Sequence, residues 1–168
     1  MTPPIPNITD VLSSEQVKPL IQPCTVEQIR NQMIHLYGNH YKDDDLTISV
    51  LYLGYLLARG DIEEIQNFIE EYKDNLIVII NTQQPEFYGG TVLHMSQYWN
   101  SGQLGIDLFE LLYNHGAIPI QDEYNQFPWE QNGDTMVWVH PFGHSIGIRH
   151  NAEFIQSYEY LKNMYEEI

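Results

Sequence analysis

Seven histidines are the side chains of this chain best suited to proton transfer or metal binding, and three of them cluster: His140, His144 and His150. His140 and His144 have the i, i+4 spacing that sets two imidazoles on one helical face, as in a helical zinc site. Pro141 and Gly143 lie between them and argue against a helix, and no carboxylate of the zinc-protease kind follows His140. These histidines are read as solvated or core-satisfied, and no metal ligand is assigned. Ser145, His144 and Asp134 supply the residue types of a nucleophilic triad but lack the Gly-x-Ser-x-Gly turn that presents such a serine. Gly143 to Gly147 lacks the spacing of a phosphate cradle. The single cysteine, Cys24, has only Arg30 as a nearby base to lower its pKa, and it excludes an intramolecular disulfide framework and a Cys-rich zinc site. Asp43-Asp44-Asp45 lacks the glycine and distal glutamate of a calcium loop and reads as a solvated helix cap. The expectation is a protein that is not an enzyme, with no catalytic residue, metal or cofactor.

The elements follow from caps and apolar spacing. Five prolines between Thr2 and Pro23 make residues 1–24 an extended arm. Residues 25–168 read as one domain. Thr25 with Gln28 forms a capping box for a helix that ends near Gly38. Leu46 to Ala58 is apolar enough for a buried helix, and Arg59-Gly60-Asp61 turns it into a second one with Ile62, Ile65, Phe68 and Ile69 inside. Leu76 to Ile80 is too short to assign to helix or strand. Gln83 to Gly90 is a turn-rich loop, Thr91 to Tyr98 a short helix, Asn100 to Gly105 a polar break, and Ile106 to Asn114 a further helix closed by Gly116. Trp138 to Ile148 suggests an irregular or small β segment. Asn151 to Glu167 reads as a terminal helix with Phe154, Ile155, Tyr158, Leu161 and Tyr165 inward. The fold class is mostly all-α.

Two hairpins about 40 residues apart suggest a repeat. The second runs Gly89-Gly90-Thr91-Val92-Leu93-His94, then Leu111-Leu112 and His115-Gly116-Ala117. It resembles an ankyrin repeat, whose pattern is Gly-x-Thr-Pro-Leu-His, a Leu-Leu pair and a Gly-Ala ending. Around Leu53 to Asp61 the match is degenerate, with Gly54 in place of the histidine. A third opening at Asn125 to Glu130 lacks both threonine and histidine. The resemblance implies a short stack of ankyrin-like hairpins over about 46–130. The Thr25 and Asn151 helices would be its end caps, and 131–168 its C-terminal cap region. The repeats are spaced wider than the family's ~33 residues, which implies insertions at Lys73 to Glu86 and Asn100 to Gly105. It further implies that His94 braces neighbouring repeats and that Met95, Tyr98 and Trp99 face a concave groove. Glu86 and Tyr88 would lie on the turn before it, and Asp122, Glu123 and Tyr124 on the turn after it.

The groove so defined would be aromatic and ringed by carboxylates. Tyrosine and tryptophan are enriched at binding hot spots. Seven Lys and Arg against 23 Asp and Glu leave a formal charge of −16 on 168 residues, well beyond the magnitude of roughly 2 to 8 that solubility needs. Such a charge repels nucleic acid and anionic lipid, and it speeds encounter with a basic protein. No stretch approaches the ~20 apolar residues of a membrane span, and the N-terminal residues lack the basic and apolar regions of a secretory signal, so a cytoplasmic location is expected. In size, charge and aromatic content the chain is similar to small ankyrin-like immunity proteins of bacterial toxin systems. That implies an inhibitor holding a basic toxin domain, such as a nuclease, in a 1:1 complex. The alternative is a structural or adaptor module of viral or host-interaction type, without inhibitory activity.

Overall fold

The computed structural model describes residues 24–100, 102–130, 136–139, 145–148 and 152–166. These residues are mostly helical. The arm at 1–23 and the histidines at 140, 144 and 150 lie outside them, as does Asp134.

Helix α1 (Val26–Tyr37) starts at the expected capping box, the Thr25 hydroxyl accepting from the Gln28 amide while the Gln28 side chain accepts from Thr25 N–H. A 3-10 turn, Asn39–Asp43, leads to α2 (Asp45–Arg59), capped by Asp44 through the Thr47 amide at 3.1 Å. Asp45 meets Arg30 at 2.8 Å. Two of the three consecutive aspartates are therefore occupied in capping and tying α2 to α1, as the solvated-cap reading holds. Gly60, at φ 69°, takes the left-handed turn, and Asp61 caps α3 (Ile62–Glu71) through the Glu63 and Glu64 amides. Leu76–Asn81 is a short helix, α4. Six residues cannot display a helical period, which is why this run was undecidable from spacing.

Helix α5 (Val92–Trp99) is capped by Thr91, and α6 (Gly102–Asn114) follows almost at once. The expected polar break at Asn100 to Gly105 is thus far shorter: α6 starts at Gly102, not Ile106. Gly102 opens the helix at a positive φ of 66°, and packing overrides the low helix propensity of Gly105. A Cβ on Gly105 would stand 2.9 Å from the Asn100 carbonyl oxygen, and Gly105 accepts from the Gln97 amide at 2.7 Å. A residue without a side chain lets α6 approach the end of α5 this closely. Gly105→Ala gains about 1 kcal/mol of helix propensity but sets a methyl against backbone, an overpacking of about 2–3 kcal/mol. We expect a net loss of about 1–2 kcal/mol by urea denaturation; a gain in stability would refute the close contact.

Beyond α6, the expected third helical opening is only a 3-10 turn, Pro128–Glu130. Strands β1 (Met136–Val139) and β2 (Ser145–Ile148) pair antiparallel, with Met136 opposite Ile148. Helix α7 (Ala152–Tyr165) ends the described chain.

Helix α1 packs on α2, α2 on α3, α4 and α5, α5 on α6, and α6 on α7. The core runs through this series, from Ile29 and Met33 on α1 to Leu161 on α7. Of the inward positions expected on α7, Leu161 is fully buried while Tyr158 and Tyr165 are half-buried. Hydrogen bonds and ring contacts with α6 also dock α7. Glu110 accepts from the Tyr165 hydroxyl at 2.7 Å and from Tyr160 at 3.2 Å, and Tyr165 packs against Phe109 and Tyr113. Trp129, buried at 1% exposure, stacks on Phe127 and lies against Phe109.

Candidate protein-binding surface

Two tight turns lie side by side. In the first, Gln84 and Gly90 form a bridge around the 3-10 turn Pro85–Phe87, and Gln83 donates to the Gly89 carbonyl at 3.2 Å. Tyr88 sits at its tip with φ 55° and ψ 35°, a left-handed conformation that costs a tyrosine energy and needs the surrounding bonds to hold it. In the second turn the Asp122 carboxylate accepts from the Tyr124 and Gln126 amides at 2.8 and 3.1 Å, and Asn125 takes the positive φ. Glu123 N–H donates to the Tyr88 carbonyl at 2.9 Å and joins the two turns. Tyr88 and Tyr124 are 54% and 64% exposed, and their rings lie 5.3 Å apart at 54°.

His94 fastens this pair of turns to the core. It is fully buried at the start of α5. Its Nδ1 accepts from Thr91 N–H at 3.1 Å, so Nε2 carries the proton and donates to the Gln126 carbonyl at 2.9 Å. The bond crosses 32 residues and reaches the turn bearing Tyr124. Burial holds its pKa below the ordinary value, against the pull of the Gln126 carbonyl and the Asp122 carboxylate.

The eight residues expected to line a partner-binding surface are thus sorted. Tyr88, Glu123 and Tyr124 come together in the open. Asp122 is on the same turn, but its Oδ1 is spent on holding that turn. Met95 is not open: at 2% exposure it belongs to the core, where its sulfur would lie 2.8 Å from a Cβ on Gly54. The missing side chain at Gly54 on α2 makes the space that Met95 on α5 fills, so the groove-facing reading of Met95 is corrected. Glu86 stands in the 3-10 turn, and Tyr98 and Trp99 in the last turn of α5; their side chains lie outside the described part.

The spacing argument missed a second exposed apolar surface. Asn81 donates to the Gly116 carbonyl and accepts from Ile118 N–H, bringing exposed Ile118 onto α4, whose Ile77 and Val78 are also exposed. The signal was an unbroken apolar run, Leu76 to Ile80, that one helix cannot bury on every side.

The charge balance is uneven across the described surface. Arg30, Arg59, Lys73 and Lys162 each sit against a carboxylate of the same chain. Glu123 makes no ion pair with the described residues. No group of three or more His, Cys, Asp or Glu among the described residues is placed to hold a metal. Cys24 packs against the core, its N–H donating to the Tyr55 hydroxyl at 2.9 Å. Burial pushes its thiol up to about 11, against smaller opposing effects of Tyr55 and Arg59, so it stays protonated and weakly nucleophilic at neutral pH. No described helix is long and apolar enough to cross a membrane. Compared with known proteins, the chain matches no family model, no curated protein and no solved structure.

Proposed function

We propose that the chain is a short, degenerate ankyrin-like stack that binds a basic protein in a 1:1 complex, most simply as an immunity protein or inhibitor covering the active site of a basic toxin domain such as a nuclease. In this reading α2–α3 and α5–α6 are the repeat hairpins, α1 and α7 the caps, and the two linked turns the contact surface. The observation that supports it best is the exposed Tyr88–Tyr124 pair beside Glu123, which makes no ion pair with the described residues, on a chain of net charge −16. Aromatic anchors supply contact area at low entropic cost, and carboxylates around them steer a cationic partner. A nuclease needs a positive surface to hold its own substrate, so an acidic cover competes for the same charges.

Affinity capture from a lysate of the source organism, washed at low and at high salt, tests the reading. A single basic protein at equal stoichiometry, losing its activity on titration with this chain, is the expected result. Several partners or one large assembly would favour the adaptor alternative, and absence of any partner at either salt would refute both. Against the captured partner, Glu123→Lys is expected to slow association about tenfold at low salt with little change in dissociation. Stopped-flow mixing at two ionic strengths would detect it, and an unchanged on-rate would remove Glu123 from the surface.

A further inference from the structure

The chemistry of the Tyr88–Tyr124 turn pair is more selective than a general attraction to positive charge. Two tyrosine faces at 54° to each other, with centroids 5.3 Å apart, form an open aromatic corner. The Glu123 side chain lies over Gly89, the residue that follows Tyr88: a Cβ on Gly89 would meet its Cγ at 2.8 Å and its carboxylate oxygen at 3.4 Å. The Glu123 amide is bonded to the Tyr88 carbonyl, so the backbone positions that carry the carboxylate and the Tyr88 ring are tied together. Tyr88 keeps its left-handed backbone with half of its surface in water. A glycine there would relieve the strain, and a polar residue would be better solvated. A strained, exposed aromatic residue is hard to account for by folding alone.

Resting on the basic-partner reading above, we propose that this corner is a receptor for an arginine side chain of the partner, the guanidinium lying on the tyrosine faces with its N–H fork on the Glu123 carboxylate. A planar, weakly hydrated guanidinium can stack and pair with a carboxylate at the same time, whereas a lysine ammonium is a compact, strongly hydrated point charge. The corner therefore selects arginine over lysine. Among the described residues the two arginines, Arg30 and Arg59, each sit against a carboxylate of their own chain, and the guanidinium of this proposal is the partner's.

The test uses two capped peptides, nona-arginine and nona-lysine, titrated into the whole chain by calorimetry at low salt and neutral pH. The unsubstituted protein is expected to bind nona-arginine about tenfold more tightly than nona-lysine. In Tyr88→Gly/Tyr124→Ser, net charge is unchanged and the left-handed strain is relieved, so the variant is expected to fold; circular dichroism checks this. Its preference for arginine is expected to fall to about twofold or less. Glu123→Gln should lose part of the preference while keeping both rings. If nona-arginine binds and the double variant keeps the full preference, or the unsubstituted protein shows none, the arginine receptor is overturned while the basic-partner reading stands. If neither peptide binds, both fall.

Discussion

His94→Ala is expected to destabilise the protein by about 3 kcal/mol and to remove much of its stability loss between pH 7 and 5. Both imidazole nitrogens are used, one accepting from Thr91 and one donating to the Gln126 carbonyl. Alanine leaves that amide and that carbonyl without their partner, together with a cavity beneath the Tyr124 turn. The pH dependence follows from the same geometry. Adding a proton to Nδ1 sets two N–H donors against each other, and burial already holds the pKa below its ordinary value of about 6.5. Between the folded and unfolded pKa values the unfolded chain binds more protons, so stability rises with pH there. The contribution of His94 is present in full above about pH 6.5 and is lost as pH falls through the folded value. Denaturation curves at pH 5, 6, 7 and 8 for both proteins would show it; parallel pH profiles would mean that His94 does not carry the acid sensitivity. Since Gln126 belongs to the turn that bears Tyr124, weaker binding of the arginine peptide by the alanine variant is a further expected consequence.

Asn100→Asp should be the more damaging of the two. Asn100 is buried between the ends of α2 and α5, where its amide nitrogen donates to the Leu57 carbonyl at 2.8 Å and the Ser96 carbonyl at 3.1 Å. An aspartate presents oxygen to two carbonyl oxygens. Ionised, it is a buried charge facing two negative dipole ends; protonated, it can donate to only one of them. The expected cost at pH 7 is about 4 kcal/mol or more, against about 2–3 kcal/mol for Asn100→Ala, which leaves the carbonyls unpaired but adds no charge. Its carboxyl would have a pKa above that of the unfolded chain, so the penalty is smallest in acid and grows as pH rises. Thermal unfolding of both variants from pH 4 to 8 is the measurement. An aspartate variant no worse than the alanine variant at pH 7 would show that water reaches the site.

The local punctuation of this fold is legible residue by residue. The Thr25–Gln28 box, the Asp61 cap, the Gly60 turn and the Gly38 stop all stand where short-range hydrogen bonding and backbone sterics place them. So does Thr91, whose cap on α5 depends on atoms within three residues. Aromatic richness and the excess of carboxylates were likewise open to counting, and they directed attention to the two turns on which Tyr88, Glu123 and Tyr124 meet.

Other features needed the assembled chain. The ankyrin resemblance implied that Met95 faces a groove, but the gap at Gly54, 41 residues earlier, draws its sulfur into the core. Gly102 and Gly105 have poor helix propensity, yet both stand in the first turn of α6: Gly102 takes a positive φ of 66°, and at Gly105 the Asn100 carbonyl leaves no room for a Cβ. Asp122 was counted as rim charge, but its Oδ1 closes its own turn. Caps and turns are legible because their partners lie within four residues, so residue type and spacing suffice to name them. Which side chain fills which gap, and which carboxylate remains unpaired, depends on close packing between segments remote in sequence, where the partner's identity is set by three-dimensional fit.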